Sequence, residues 1–161
     1  MVCVRELDGI TFGNRRESRP VHAIAADQGG VVARAQLLGA GVTGSTIDRA
    51  LRSGRLHRIH HGVYSTVAPD LIGEDGLLIA ALRAAGDGAV LSHGTAAWRW
   101  QIVPAPPVTI ELTVPWPRPA SAGLTQFATR RLRADDVTNM GAFAAPPLPA
   151  PSSTWRSATT A

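Results

Sequence analysis

Two short stretches of this 161-residue chain crowd together side chains that do chemistry in other proteins. His57, His60 and His61 fall close together, and imidazole is a common metal ligand and proton carrier. Ser92 is followed directly by His93, the two residue types from which a hydroxyl nucleophile and its base are built. Neither stretch carries the partners its chemistry requires. Most zinc sites add cysteine or carboxylate to imidazole, the histidine stretch contains neither, and it falls in a hairpin whose polar residues face solvent or phosphate. Cys3 is the only cysteine, which also excludes an internal disulfide. Beside Ser92 and His93 no third group that would orient the imidazole is identifiable, and Ser92 stands where a serine caps a helix. A glycine-rich phosphate loop and a paired-carboxylate motif are both missing from the sequence. The reading is of a chain that is not an enzyme and takes no metal or cofactor.

A third constellation is of another kind. Ser45, Arg49 and Arg52 stand at i, i+4 and i+7, so one helix would carry them on one face, with Thr46 beside them at its first turn. Their surroundings are basic. Residues 1–20 hold four Arg against three acids, and residues 67–161 hold seven against seven. Residues 21–66 hold Arg34, Arg49, Arg52, Arg55 and Arg58 against Asp27 and Asp48 alone. Three of the four net positive charges, and four of the five histidines, therefore lie in that stretch. A basic module beside neutral sequence suits a polyanionic partner. The chain contains no lysine; GC-rich codon usage explains that more simply than a preference for phosphate.

The elements that must position these side chains are legible from local signals. Val21, Ile24 and Ala25 are spaced for one helical face, and Gly29-Gly30 ends that helix. Val31-Val32 fits a short strand, followed by a second helix from Arg34 to Leu38 closed by Gly39-Ala40-Gly41. Thr43 is a good N-cap, Val42 and Ile47 stand at the two positions of a hydrophobic staple, and Gly54 is placed to close the helix. This predicts a third helix from about Gly44 to Ser53, with Ile47, Ala50 and Leu51 inward and an Asp48–Arg52 pair outward. Arg55 to Ile59, a turn at His60-His61-Gly62, and Val63 to Ser65 read as a strand, a turn and a strand. Together these make a winged helix-turn-helix. Past Pro69 the sequence predicts a helix on Leu77, Leu78, Ala81, Leu82 and Ala85, a strand at Ala89–Leu91, a helix from Ser92 through Trp100, a strand at Val108–Val114 and its partner from Leu124 to Thr129. Trp98 and Trp100 read as partial core residues.

The run Ala25-Ala26-Asp27-Gln28-Gly29-Gly30-Val31-Val32-Ala33-Arg34-Ala35-Gln36-Leu37-Leu38, then Gly41-Val42-Thr43, then Ile47 through Leu56 and His61-Gly62-Val63-Tyr64, resembles the N-terminal winged helix of the AbiEi-type antitoxins of type IV toxin–antitoxin systems. Similar N-termini precede domains that look like very-short-patch-repair endonucleases. Ala89-Val90-Leu91-Ser92-His93, Ala96-Ala97-Trp98, Ile110 through Pro115 and Arg133 through Thr138 resemble the adjoining segment in the same family. Ala33 is a departure, because relatives carry a Thr or Ser cap there, and losing such a cap costs roughly 1 kcal/mol. The resemblance implies a DNA-binding regulator that represses its own promoter and whose C-terminal domain opposes a nucleotidyltransferase-like toxin. The second helix of such a motif enters the major groove while flanking elements hold phosphates. Ser45, Thr46, Arg49 and Arg52 are accordingly expected to face bases, and Arg34, Gln36, Arg55, Arg58, His60 and His61 to face phosphates or form the wing.

Of the last twenty residues, 16 are Ala, Pro, Ser or Thr, all encoded with C in the second codon position. A one-base slip in a GC-rich gene produces that bias. A message reading A-F-A-A-P-P-L-P-A-P-S-S-T-W-R reads, one base away, G-I-R-R-T-S-P-A-R-T-L-V-D-L-A, which is similar to the continuation found in the family. The expected fold class is α+β: a leader over residues 1–20, a winged helix-turn-helix over 21–68, a small α+β segment over 69–138, and a disordered, out-of-frame tail over 139–161. The longest uncharged runs are broken by Gly, Pro or Ser well before the roughly 18 residues of a membrane span, and seven charges fall in the first twenty residues. This gives a cytoplasmic, truncated antitoxin with double-stranded DNA as partner, and a nucleotidyltransferase-like toxin as a second partner if the function survives truncation. The competing expectation is a decayed remnant or protein-interaction module that reads no operator.

Overall fold

The computed structural model describes residues 21–117, 119, 121–130, 137–140 and 143–145. The leader, the Arg133 to Asp136 part of the family resemblance and residues 146–161, with the shifted-frame reading made of them, lie outside the described residues. Three helices come first: α1 (Val21–Asp27), α2 (Arg34–Gly39) and α3 (Gly44–Arg52). Gly29 and Gly30 both take positive φ, +63° and +86°, which glycine adopts without steric cost, and so turn the chain out of α1. Val21, Leu37, Val42, Ile47, Ala50 and Leu56 form the core of this head. Ile47 is fully buried at its centre.

Strands β1 (Val31–Ala33), β2 (His57–His60) and β3 (Val63–Ser65) make an antiparallel sheet in the order β1-β3-β2. Val31 pairs with Ser65, Val32 with Tyr64 and Ala33 with Val63. Side chains alternate across a strand, so Val32 and Tyr64 enter the three-helix core while Val31 and Val63 leave from the other face. That second face is covered by α4 (Glu74–Ala85) through Ala80, and by Ile72 just before the helix.

Helix α4 also forms the core of the segment after the wing. Its Leu78, Ile79, Ala81 and Ala85 pack with Leu91, Leu112 and Val114, whereas Leu77, expected on the inner stripe, is exposed. The second sheet runs β4 (Val90–Leu91), β5 (Ile110–Val114), β6 (Leu124–Ala128), with α5 (His93–Arg99) between β4 and β5 in sequence. β4 and β5 are antiparallel, while β5 and β6 are parallel, Ile110 opposite Leu124 and Val114 opposite Ala128. Among the described residues no helix is long and apolar enough to cross a membrane.

Two further differences from the sequence reading concern the bounds of its segments. The change of sequence character at 68/69 does not divide two cores, because α4 is shared by the two sheets. And residues 138–145 include two antiparallel strands, β7 (Thr138–Met140) and β8 (Phe143–Ala145), with β8 beside β4. Residue 139, where the tail is expected to begin, thus lies within β7. Strand pairing uses backbone N–H and C=O groups, which a low-complexity segment carries as any other does, so composition alone did not reveal it.

One glycine pair decides how closely α4 docks. A β-carbon on Gly76 would lie 2.7 Å from the carbonyl oxygen of Gly29 and 2.7 Å from Cγ2 of Ile72. Glycine inside a helix costs about 1 kcal/mol relative to alanine, but overpacking against backbone costs about 1–3 kcal/mol, and backbone cannot turn aside as a side chain would. Gly76→Ala is therefore expected to lower the melting temperature by several degrees, at roughly 2–4 °C per kcal/mol for a chain of this size. Gly39→Ala, where nothing lies within 4 Å of the added carbon, should not lower it. Equal melting temperatures for Gly76→Ala and the wild type by calorimetry would show that the two glycines do not set the docking.

Candidate nucleic-acid interface

Helix α3 begins where the local signals place it. Thr43 has extended backbone (φ −74°, ψ 154°), and its Oγ1 accepts a hydrogen bond from the Thr46 amide at 3.3 Å. Val42 and Ile47 are both buried, closing the staple. Ala50 is buried and Leu51 half-buried on the same side, which leaves Ser45, Asp48, Arg49 and Arg52 exposed. Of the four residues expected to face bases, Ser45, Arg49 and Arg52 share this outer face. Thr46 lies about 100° around the helix from Ser45, is half-buried, and has its hydroxyl 2.9 Å from that of Thr43. The expected Asp48–Arg52 side-chain pair is replaced by a bond from Arg52 Nε to the Asp48 backbone carbonyl at 3.3 Å.

The wing stands behind this helix. β2 and β3 are joined by His61 and Gly62, and Gly62 supplies the positive φ (+70°) that so short a turn requires. Arg58 and His61 are exposed. Arg34 ties the wing to the helices: its amide donates to the Gly62 carbonyl at 2.7 Å, and its Nη1 donates to the Tyr64 hydroxyl at 3.5 Å. Its Nη2 lies against Gly44, where a β-carbon would come within 3.1 Å. Arg34 is thus half-buried at the junction of wing and α3. Arg55 is half-buried and donates from Nε to Ser53 Oγ at 3.1 Å.

Two of the residues expected at phosphates are engaged inside the fold. Gln36 sits at the third position of α2, where its Oε1 accepts from the Ala33 amide at 2.9 Å, the glutamine half of a capping box. Its Nε2 donates to Gln28 Oε1 at 3.3 Å, an oxygen that also accepts from Arg83 Nε at 3.1 Å. The cap missing at Ala33 is therefore partly made up from the other side. His60 is half-buried, with Nδ1 2.8 Å from Ser121 Oγ, and burial lowers its pKa below the ordinary value. Ser121, whose partner His60 is 61 residues away, and the Gln28 bond to Arg83, 55 residues away, carry no sequence signal that would have marked them.

Ser92 does occupy the N-cap position of α5, but its buried hydroxyl makes no cap bond and lies 2.9 Å from His93 Nδ1. The cap comes from Glu111, whose Oε2 accepts from the Gly94 amide at 2.6 Å. His93 has φ +48°, uncommon for a residue with a side chain, and stacks on Phe127 at 3.8 Å between ring centroids. Trp98 and Trp100 are half-buried. Among the described residues no three His, Cys, Asp or Glu side chains stand together as a metal site.

Residues 20–67 match the family model described as transcriptional regulator, AbiEi antitoxin. The match covers the three helices and the wing, so the family resemblance read from the sequence holds for this part of the chain. No curated protein matches the sequence.

The lowered pKa of His60 has a consequence for stability. The unfolded chain takes up the proton first as pH falls, so stability is fully present above the ordinary histidine value of about 6.5 and declines below it. Asparagine at this position keeps an amide near Nδ1 and does not titrate. Chemical denaturation at about pH 7.5 and pH 5.5 should therefore show a larger acid loss for the wild type than for His60→Asn. Identical losses would mean that the imidazole is not held neutral by its burial.

Proposed function

We propose that the chain is a transcription regulator of antitoxin type that binds duplex DNA through residues 21–68. The observation that carries this reading is the outer face of α3, a capped helix that presents Ser45, Arg49 and Arg52 beside an exposed basic wing. Helix α3 lies in the major groove, with Arg49 and Arg52 reaching base edges and Ser45 and Thr46 at the first turn. Arg58 and His61 on the wing, with Arg34 and Arg55 at its base, face the flanking phosphates. Side chains in these roles divide the work: base contacts specify sequence, and phosphate contacts fix register without reading it.

The operator is the promoter of the chain's own gene, which makes the protein an autorepressor. If the antitoxin function is retained, its protein partner is a nucleotidyltransferase-like toxin encoded beside it. The support for both is the family match over residues 20–67; the charge distribution, with three of the four net positive charges within residues 21–66, supports the DNA contact alone.

Binding of the purified chain to its upstream DNA across a salt series tests the reading. With three arginines meeting phosphates, log K should fall against log salt with a slope of roughly −3. Arg49→Ala should lower affinity for the upstream DNA by about 1–3 kcal/mol and for random duplex by less, whereas Arg58→Ala should weaken both about equally. An absence of binding at low salt overturns the reading in favour of a protein-interaction module. Equal losses on both duplexes for both variants would show that α3 does not read bases.

A further inference from the structure

We propose that the second sheet is a working part of the DNA-reading surface: through Ser121 it holds the wing, and His60 is the positioning residue on which it holds. The proposal rests on the DNA-binding reading above for its function, though not for its structural half.

β2 is the outer strand of its sheet, paired only with β3 among strands. A short hairpin on one neighbour is marginal by itself, and this one is joined by two residues. Two bonds restrain it from opposite sides. On the helix side, the carbonyl of Gly62 at the turn accepts the Arg34 amide at 2.7 Å. On the other side, the register slips between Arg58 and His60, so that Arg58 is opposite Tyr64 and His60 opposite Val63. A bulge of this kind re-aims a side chain. Here Ile59 packs with the apolar layer of Val31, Val63, Ile72 and Ala80, and the His60 ring meets the Ser121 hydroxyl at 2.8 Å, across 61 residues of sequence.

What these bonds hold is the piece of chain that carries Arg58 and His61, both exposed. With α3 in a groove, the angle of the wing decides which phosphates those two side chains reach. A wing fixed beforehand avoids the ordering cost that a loose one incurs on binding. The second sheet is in this respect a bracket for the wing, and the Ser121 hydroxyl before β6 restrains β2 from outside residues 21–68, as Arg34 restrains the turn from within them.

The test uses the full chain with His60→Ala, Ser121→Ala, the double variant and His60→Asn, read by amide hydrogen exchange without DNA and by affinity for the upstream duplex at fixed salt. Each alanine variant should speed exchange over residues 57–63 and weaken DNA binding by about two- to tenfold, while amides of α3 from Ile47 to Leu51 stay protected, which also reports that the variant is folded. The double variant should be no worse than the worse single, and His60→Asn should stay near the wild type in both measurements. Unchanged wing exchange in the alanine variants, or fully additive effects in the double, overturns the hold. Faster wing exchange with unchanged DNA affinity overturns the role in DNA reading. A wild-type chain that binds no DNA defeats the functional reading, while the exchange measurement still decides whether the sheet holds the wing.

Discussion

Val31, Val63 and Ser65 leave one face of a three-stranded sheet, Val32 and Tyr64 leave the other, and none of the five reaches solvent. A small antiparallel sheet ordinarily keeps one face wet. Here the helices α1 to α3 cover one side, so the apolar second side must be covered too, and α4 is the element that does it. Fully burying a valine side chain contributes about 1.5–3 kcal/mol, so leaving Val31 and Val63 exposed would cost a sizeable fraction of a domain's net stability. Ser65 is the polar exception on that face. Its hydroxyl donates to the Val67 carbonyl at 2.7 Å and accepts from the Val67 amide at 3.0 Å, which removes the penalty for burying it. The winged helix is thus continuous with the segment after it, and the close approach of Gly29 and Gly76 is the geometric condition for that continuity.

The parts of this arrangement that were legible in the sequence are those whose causes are local. Thr43, Val42, Ile47 and Gly54 fix the bounds of α3 because a cap, a staple and a terminating glycine all act within about a turn of the helix end. The hairpin was equally open to reading, since strand alternation and the His61-Gly62 turn are adjacent. What escaped is what depends on partners far along the chain. Nothing near His60 announces Ser121, and nothing near Gly94 announces Glu111. Gln36 is expected at a phosphate because it lies on an element flanking α3, yet its position three residues after Ala33 suits it to a capping box. The Asp48–Arg52 spacing promised a carboxylate pair and the guanidinium took a carbonyl instead, which is unsurprising where an exposed ion pair contributes at most about 1 kcal/mol.

The polar side chains of residues 21–66 divide accordingly into two sets. Gln28, Gln36, His60 and Tyr64 make bonds that join elements of the fold. Ser45, Arg49, Arg52, Arg58 and His61 are presented outward. Arg34 belongs to both, bonded to Tyr64 and pressed against Gly44 while still only half-buried. An arginine in that position couples the start of α3 to the wing, and a guanidinium has donors to spare after one bond to a phenol. Joining and presenting are therefore done at the same junction, where a rearrangement of the wing is felt by the helix.

Strand direction explains why the second sheet can reach the wing at all. Had β5 and β6 formed a hairpin, their connection would lie at the Val114 end of β5. Because they run parallel, the connection over residues 115–123 must return along the sheet, a distance of roughly 13 Å for five residues of strand, and it finishes at the Ile110 end. There the Gly123 carbonyl accepts the Ile110 amide at 2.8 Å, and the Ser121 carbonyl accepts the Leu124 amide at 3.1 Å. These bonds fix Ser121 at the end of the sheet where His60 stands. The parallel crossover is short for its kind, such connections commonly needing a dozen residues or more, and what it accomplishes is to deliver one hydroxyl to the outer strand of the wing. The position of the wing is in this sense determined by the direction of a strand more than fifty residues away.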